Sequence, residues 1–273
     1  MCPYFNEDAM LLDYHIHTKL CGHAEGEMEE YVQSAIAKGL DEMGFSDHFP
    51  LFHVEPGDLS MKMEDMPSYI EKVKELQEKY KNKIPVKLGI EVEYTPEIES
   101  PTRKLLENYN FDYIYGSVHF LGDWVFDHPA YKDEWKKRNV YRVYKEYFSN
   151  LRSMIASGLF DVAAHIDLIK KFGYKPEENL KNLYEEVAKS LKQYDICIEV
   201  NTSGLYKPVK EMYPCEEFLK ICFNSGIPVV LGSDAHRPDD VARDFDRALS
   251  ILKKIGYKKI ATFSNRKRTL VNL

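Results

Sequence analysis

The feature that most restricts what this chain can fold into is an alternation. Short strand-like runs end in polar, chemistry-bearing residues, and each is followed by an amphipathic helical stretch. The strand candidates are LLDYHIHT (11–18), DEMGFSDH (41–48), PVKLGIEVEY (85–94), FDYIYGSVHF (111–120), DVAAHIDL (161–168), CIEVNTSG (197–204) and PVVLGSDAH (228–236). Between them lie helix patterns such as MEEYVQSAIAKG, YIEKVKELQEKY, YRVYKEYFSNLRSMIASG, NLKNLYEEVAKSLKQY and FLKICFNSG. A further helix is expected at 239–255, and KKIATFSN reads as a short final strand. Gly39, Gly158 and Gly226 stand just ahead of the next strand, where a left-handed residue ends a helix without strain. Alternation at this pitch means parallel strands joined by right-handed crossovers. Seven or eight such units suit a closed barrel better than an open sheet, and 273 residues agree with the ~250 typical of that architecture. No linker-like tract interrupts the pattern, so one α/β domain over 1–273 is expected. Neither a Gly-x-Gly-x-x-Gly run nor a P-loop is present, which removes support for a nucleotide-cradling open sheet.

Composition excludes several functions. The chain is 44% hydrophobic, ample for a core, and carries 37 basic against 44 acidic side chains, a formal net charge of −7. An acidic balance argues against a nucleic-acid surface or a polybasic membrane anchor. Interleaved Tyr and basic residues at 141–148 hint at base stacking, but an amphipathic packing face explains them better. No run approaches the ~20 apolar residues of a membrane span, and the first residues lack the basic and apolar segments of a secretory signal. Five irregularly spaced cysteines read as reduced thiols. The expected compartment is therefore the cytoplasm. The sequence specifies no oligomeric state.

The strand ends carry the chemistry. In order they present His15 and His17, Asp47 and His48, Glu91 and Glu93, His119, His165, Glu199 and Asn201, and Asp234 and His236. In a parallel barrel such ends converge on one face, where active sites lie. In His15-Ile16-His17 the imidazoles are two residues apart, so both face one side while Ile16 packs on the other. Asp234 and His236 repeat that spacing, as do Glu91 and Glu93, of which only one need be a ligand. A single histidine at a strand end is ordinarily a hydrogen-bonded structural residue. Seven of nine histidines in that position (15, 17, 23, 48, 119, 165 and 236) are not an ordinary pattern. His53 and His128 lie in loops. Imidazoles and carboxylates in these numbers exceed the needs of one ion and suffice for two or three if a carboxylate bridges. Such a cluster without nucleotide motifs suggests metal-assisted hydrolysis of a phosphate ester.

The motifs DYHIHTKLCGHAEG, GFSDH, GIEVEY, GSVHF, AAHIDL, IEVNTSG and GSDAH resemble, in order, those of the polymerase-and-histidinol-phosphatase (PHP) superfamily over residues 11 to about 245. The stretches GSVHFLGDWVFDHP, HTKLCGHAEG and SDAHRPDDV resemble its histidinol-phosphatase branch. The resemblance implies a distorted (βα)7 TIM-like barrel with three divalent transition-metal ions, zinc, manganese or iron. It implies one ion on His15, His17, Glu91 and Asp234, with Glu91 bridging to a second on His119 and His165. A third would rest on His23, His48 and His236. The implied reaction is metal-activated hydroxide attack on L-histidinol phosphate, giving L-histidinol and phosphate in histidine biosynthesis. Glu91, Asp234 and His236 are its candidate catalytic residues, the last two as a proton relay to the leaving alkoxide.

Substrate contacts follow less directly. Lys170, Lys171 and Arg237 come just after histidine-bearing strands and could hold phosphate from the rim; the alternatives are solvated charges or, for Arg237, pairing with Asp239 or Asp240. By resemblance, Phe126 and Asp127 would offer an aromatic wall and an acid to an imidazole-bearing amino alcohol, with Trp124 as packing. Asn201 faces the cluster by strand parity, or else caps the turn at Ser203-Gly204. Cys21, between His17 and His23, has no partner at zinc-motif spacing and reads as loop packing. Three rivals remain. One is a PHP phosphoesterase acting on nucleotides or oligonucleotides, and another a two-metal barrel hydrolase of C–N bonds. The last, a non-catalytic metal binder, is disfavoured because no ligand position is degraded.

Overall fold

A computed structural model describes residues 9–51 and 59–273. His53 and Cys2 lie outside the described residues.

The alternation becomes a parallel sheet that curls round on itself. Its strands are β1 (Leu12–Asp13), β2 (Glu42–Phe45), β3 (Val86–Glu93), β4 (Tyr113–Ser117), β7 (Val162–Ala163), β8 (Cys197–Asn201) and β9 (Val229–Gly232), paired in that order. Past β1, Tyr14 N–H donates to Leu231 O at 3.2 Å and Ile16 forms a parallel bridge to Ala235. These contacts bring the first and last strands together and nearly close a seven-stranded barrel. Two short strands, β5 (Phe120–Leu121) and β6 (Trp124–Val125), form a hairpin inserted after β4. The crossovers carry α1 (Met28–Ala37), α2 (Met66–Tyr80), α3 (Glu99–Leu106), α4 (Val140–Ala156), α5 (Lys181–Tyr194), α6 (Glu216–Asn224) and α7 (Phe245–Ile255).

Local chemistry sets these boundaries. Glu27 and Glu30 form a reciprocal capping box at the start of α1, and the Asn139 side chain accepts from Arg142 N–H at 2.9 Å to start α4. On α4 the residues Val143, Tyr144, Tyr147, Phe148, Leu151, Met154 and Ile155 are buried, a helical-period stripe that turns the tyrosine-rich stretch inward as packing. Gly39, Gly158 and Gly226 all have φ near +70°, as the helix-ending role requires. The helix expected from 239 begins later, at Phe245. Ahead of it Asp13 accepts the N–H of Ala242 at 2.8 Å, and Ala242 and Asp244 take left-handed φ values that a helix cannot contain.

Inside the barrel, Tyr113 stacks on Tyr14 at 4.7 Å and donates to the carbonyls of Tyr14 and Phe45. A Cβ at Gly44 or Gly89 would fall within 2.3 Å of that tyrosine, so both strands leave their side chain out. KKIATFSN is a strand, but not of the barrel. As β10 (Lys259–Ser264) it pairs antiparallel with β11 (Lys267–Asn272) through a turn whose Asn265 and Arg266 are both left-handed. This hairpin covers the N-terminal mouth. There Thr262 and Tyr14 donate to Glu42, and Arg266 pairs with Asp161 at 2.8 Å. The opposite mouth is left for the histidines.

Candidate metal centre

The backbone delivers each side chain to that C-terminal mouth. His17 N–H donates to Ala235 O at 2.9 Å and Ala235 N–H to His15 O at 3.1 Å. This pairing sets His15 and His17 beside Asp234, with Ile16 buried behind them. His48 bridges to Glu91 through the main chain, Glu91 N–H donating to Asp47 O at 3.0 Å and Phe49 N–H to Glu91 O at 2.7 Å. His165 (φ 22°) and Asp234 (φ 54°) sit where their strands end, in conformations that an ordinary L-residue adopts only when its surroundings impose them.

Glu91 is the hub. Its Oε1 lies 2.9 Å from His165 Nε2 and 3.8 Å from His119 Nε2. Its Oε2 lies 3.2 Å from His15 Nε2, 3.7 Å from His17 Nε2 and 3.0 Å from His48 Nδ1. Five imidazoles thus face one carboxylate that is 1% exposed. Asp234 Oδ1 stands 3.1 Å from His17 Nε2 and 3.9 Å from His15 Nε2. At the outer edge, His23 and His236 approach through their Nε2 atoms at 2.9 Å, and His236 stacks on His17 with ring centres 4.1 Å apart. All nine side chains named as ligands from the sequence therefore converge.

The electrostatics are those of a site built for cations. Burial alone would favour protonated carboxyls, yet the surrounding imidazoles hold Glu91 and Asp234 well below the usual carboxylate range. Burial pushes the imidazoles of His48 and His236 well below their ordinary value, reinforced at each by neighbouring histidines, so both are neutral near pH 7. Burial also opposes charge on His17 and His119, but Asp234 and Asp47 at the first and Glu93 at the second outweigh it, raising each to about 9. His165 Nδ1 has no hydrogen-bond partner among the described residues, and the ring nitrogens of His17 meet Asp234 at 3.1 Å and Asp47 at 3.4 Å without hydrogen-bond geometry. Donor atoms of His15–His17–Asp234, His15–Glu91–His165 and His17–His48–His236 lie within 4.8 Å of one another in each set, and Cys21–His23–His236 forms a further set. Buried, unpartnered imidazole nitrogens around ionised carboxylates fit borderline divalent ions.

The sequence profile of the PHP domain matches residues 13–203, more than half of the chain. The chain belongs to the PHP family. It is 36% identical over 257 residues to a probable histidinol-phosphatase of Deinococcus radiodurans, covering 94% of this chain and 98% of that one. To the histidinol-phosphatase of Bacillus subtilis it is 27% identical, covering 87% and 97%. Its fold superposes with a TM-score of 0.84 on the crystal structure of histidinol phosphate phosphatase from Lactococcus lactis complexed with zinc, L-histidinol and phosphate, at 24% identity and with 96% and 99% of the chains covered.

Around the PHP cluster, the residues expected to meet substrate divide. Lys171 and Asp127 pair at 2.8 Å, both mostly buried. Asn201 caps the turn and faces the cluster: its Oδ1 accepts Ser203 N–H at 2.9 Å, and its Nδ2 reaches Asp234 at 3.4 Å. Lys170 is not a rim residue. It is 3% exposed, its ammonium 2.8 Å from both Asp167 and Met212 O, because consecutive residues of the 3-10 turn Leu168–Lys170 face different ways. Phe126 is no open wall either. Its N–H returns to His119 O, and its fully buried ring packs edge-on against Trp124 and Tyr147. Arg237 is exposed and pairs with Glu25 at 2.6 Å rather than with Asp239 or Asp240. Cys21 packs in its loop, fully buried, donating to Thr18 O at 3.0 Å. His128 caps a turn by accepting Ala130 N–H at 3.2 Å.

Two sets of residues went unassigned in the sequence. Three carboxylates stand behind imidazoles: Glu93 2.7 Å from His119 Nδ1, Glu199 2.6 Å from His15 Nδ1, and Asp47 3.4 Å from His17 Nδ1. Strand parity was the available signal, since Glu93 follows Glu91 by two and Glu199 precedes Asn201 by two. Lys207 gave no signal, lying past the 3-10 turn Ser203–Tyr206. Burial lowers its ammonium below the usual range, while Asp234 and Asp127 draw it the other way and Lys171 lies close enough to repel it.

Proposed function

We propose that this PHP protein is a histidinol-phosphatase that hydrolyses L-histidinol phosphate to L-histidinol and phosphate. The observation that carries the hydrolytic reading is Glu91, whose two oxygens face five imidazoles at the mouth of the barrel. The substrate is chosen on the relatives: the Deinococcus radiodurans and Bacillus subtilis proteins, matched over nearly their whole lengths, carry that activity in their names.

Three divalent ions fit the donors. His15, His17, Asp234 and Glu91 would hold one; Glu91, His119 and His165 a second; His23, His48 and His236 a third. Bound there, such ions supply positive charge for phosphate oxygens and a water acidified towards neutral pH. The chain's own part is to bind and orient. Lys171, tethered by Asp127, and Lys207 stand at the edge of the cluster as cations for the phosphate. Asp127 is also a carboxylate for the substrate ammonium once Lys171 turns to phosphate. Ser203 and Asn201 fix Asp234 through its Oδ2, at 3.0 and 3.4 Å, so that Oδ1 keeps facing His15 and His17. His236 donates from Nδ1 to Asp234 O at 3.0 Å, which holds its Nε2 towards His23 as an ion ligand rather than as a proton relay.

The test is phosphate release from histidinol phosphate beside a nucleoside monophosphate and bis(p-nitrophenyl) phosphate. Histidinol phosphate should be preferred in kcat/KM by at least ~100-fold, the lower end of what differential transition-state binding supplies. A preference for either of the others would replace this reading with a nucleotide-directed phosphoesterase.

A further inference from the structure

Glu199 stands on β8, wholly buried, with both oxygens committed. Oε1 lies 2.6 Å from His15 Nδ1, and Oε2 accepts the backbone N–H of His165 at 2.8 Å. The adjoining strand is cut away to admit it: a Cβ at Gly232 would come within 1.9 Å of Oε1. The two residues it grips lie on opposite sides of Glu91. His15 Nε2 faces one oxygen of Glu91 at 3.2 Å, and His165 Nε2 faces the other at 2.9 Å. His165 is also the residue held at φ 22°, and its N–H is anchored by Glu199 in that conformation.

We propose that Glu199 is a positioning residue for two ion positions at once. By accepting from His15 Nδ1–H it fixes the tautomer that leaves the Nε2 lone pair facing Glu91 and Asp234. By accepting from His165 N–H it fixes the turn that aims the second imidazole at the other oxygen of Glu91. Carboxylates that back a ligating histidine in this way orient the ring and raise its basicity. Glu93 is the natural contrast. Its oxygens serve the ring and N–H of His119 and the N–H of Phe120, hence one ion position only. The proposal rests on reading the cluster as a multi-ion site.

Glu199→Gln separates positioning from plain packing. The amide keeps the shape, and its oxygen still accepts from His165 N–H. Its NH2 then faces His15 Nδ1, which must accept, so the ring proton moves to Nε2 and removes the donor lone pair. Purified wild type, Glu199→Gln and Glu93→Gln are loaded with zinc, dialysed against graded chelator, and assayed for ions retained per chain. Glu199→Gln, which keeps the His165 contact, should weaken retention at the His15 position by about 10–100-fold; Glu199→Ala, treated the same way and freeing both partners, should weaken two positions, and Glu93→Gln one. Long-range 15N spectra of the metal-free proteins should show His15 Nδ1 carrying a proton in wild type and bare in Glu199→Gln. Should Glu199→Gln not fold by circular dichroism, Glu199→Asp decides, keeping the charge and the Nδ1 proton but reaching one partner instead of two; it should weaken one position. Retention equal to wild type in the folded variant, or a loss of stability with retention unchanged, overturns the proposal. Wild type that takes up no zinc overturns the multi-ion reading itself.

Discussion

At the N-terminal mouth of the barrel, Glu42 receives the hydroxyls of Tyr14 and Thr262 and lies 3.3 Å from the ammonium of Lys87. Close by, Asp161 is clamped by Arg266 and also accepts Ile114 N–H. At the C-terminal mouth, Glu91 is equally buried but meets imidazoles alone, and some of their nitrogens have no partner among the described residues. Both ends bury carboxylates. One end gives each a donor from hydroxyl, guanidinium or backbone and is sealed by the β10–β11 hairpin. The other leaves donors converging on space between them. A buried polar group without a partner costs free energy, so it persists where something else supplies the partner. The carboxylates of one mouth are satisfied within the fold, and those of the other face a site.

Substitutions should break the molecule differently at the two ends. Glu91→Gln should lower phosphate release at least about 10³-fold, equivalent to ~4 kcal/mol of barrier. The variant should still fold, but with a lower urea midpoint in the metal-free protein, because the ionised carboxylate that balances the imidazoles is neutralised. A variant that loses both activity and fold would erase the contrast. Glu42→Ala should do the reverse, costing about 2–4 kcal/mol in urea unfolding because the Tyr14 and Thr262 hydroxyls lose their acceptor. Its kcat per folded molecule should match wild type.

Lys171→Ala and Lys207→Met sharpen the comparison within the active end. Each should raise KM for histidinol phosphate about 10-fold, ~1.4 kcal/mol, with kcat changed less. Arg237→Ala, which releases only a surface pair with Glu25, should match wild type in both steady-state kinetics and urea unfolding.

The active end was the more legible in sequence, and the reason is geometric. Period-two spacing on a strand puts His15 beside His17, and a parallel barrel brings all strand ends to one mouth, so position in sequence translates into position in space. Asp234 and Glu91 follow by the same rule. What stands behind the ligands does not, because Glu199 reaches His15 across 184 residues of chain and Glu93 reaches His119 across 26. Such pairs depend on register between strands. Turns defeat sequence reading for a different reason: Lys170 and Lys171 are neighbours, yet one is locked against Asp167 and the other pairs with Asp127. The sealed end was half legible. KKIATFSN is the strand it looked like, but its place as a lid over Glu42 and Asp161 rests on tertiary contacts.

The most direct test of a Glu91-centred cluster is the number of divalent ions per chain, by mass spectrometry, after reconstitution and gel filtration. The account predicts three for the wild type and no more than one for Glu91→Gln, whose amide cannot bridge two ions as a carboxylate does. Two ions in the wild type, or a Glu91→Gln protein that keeps its full complement, would contradict it.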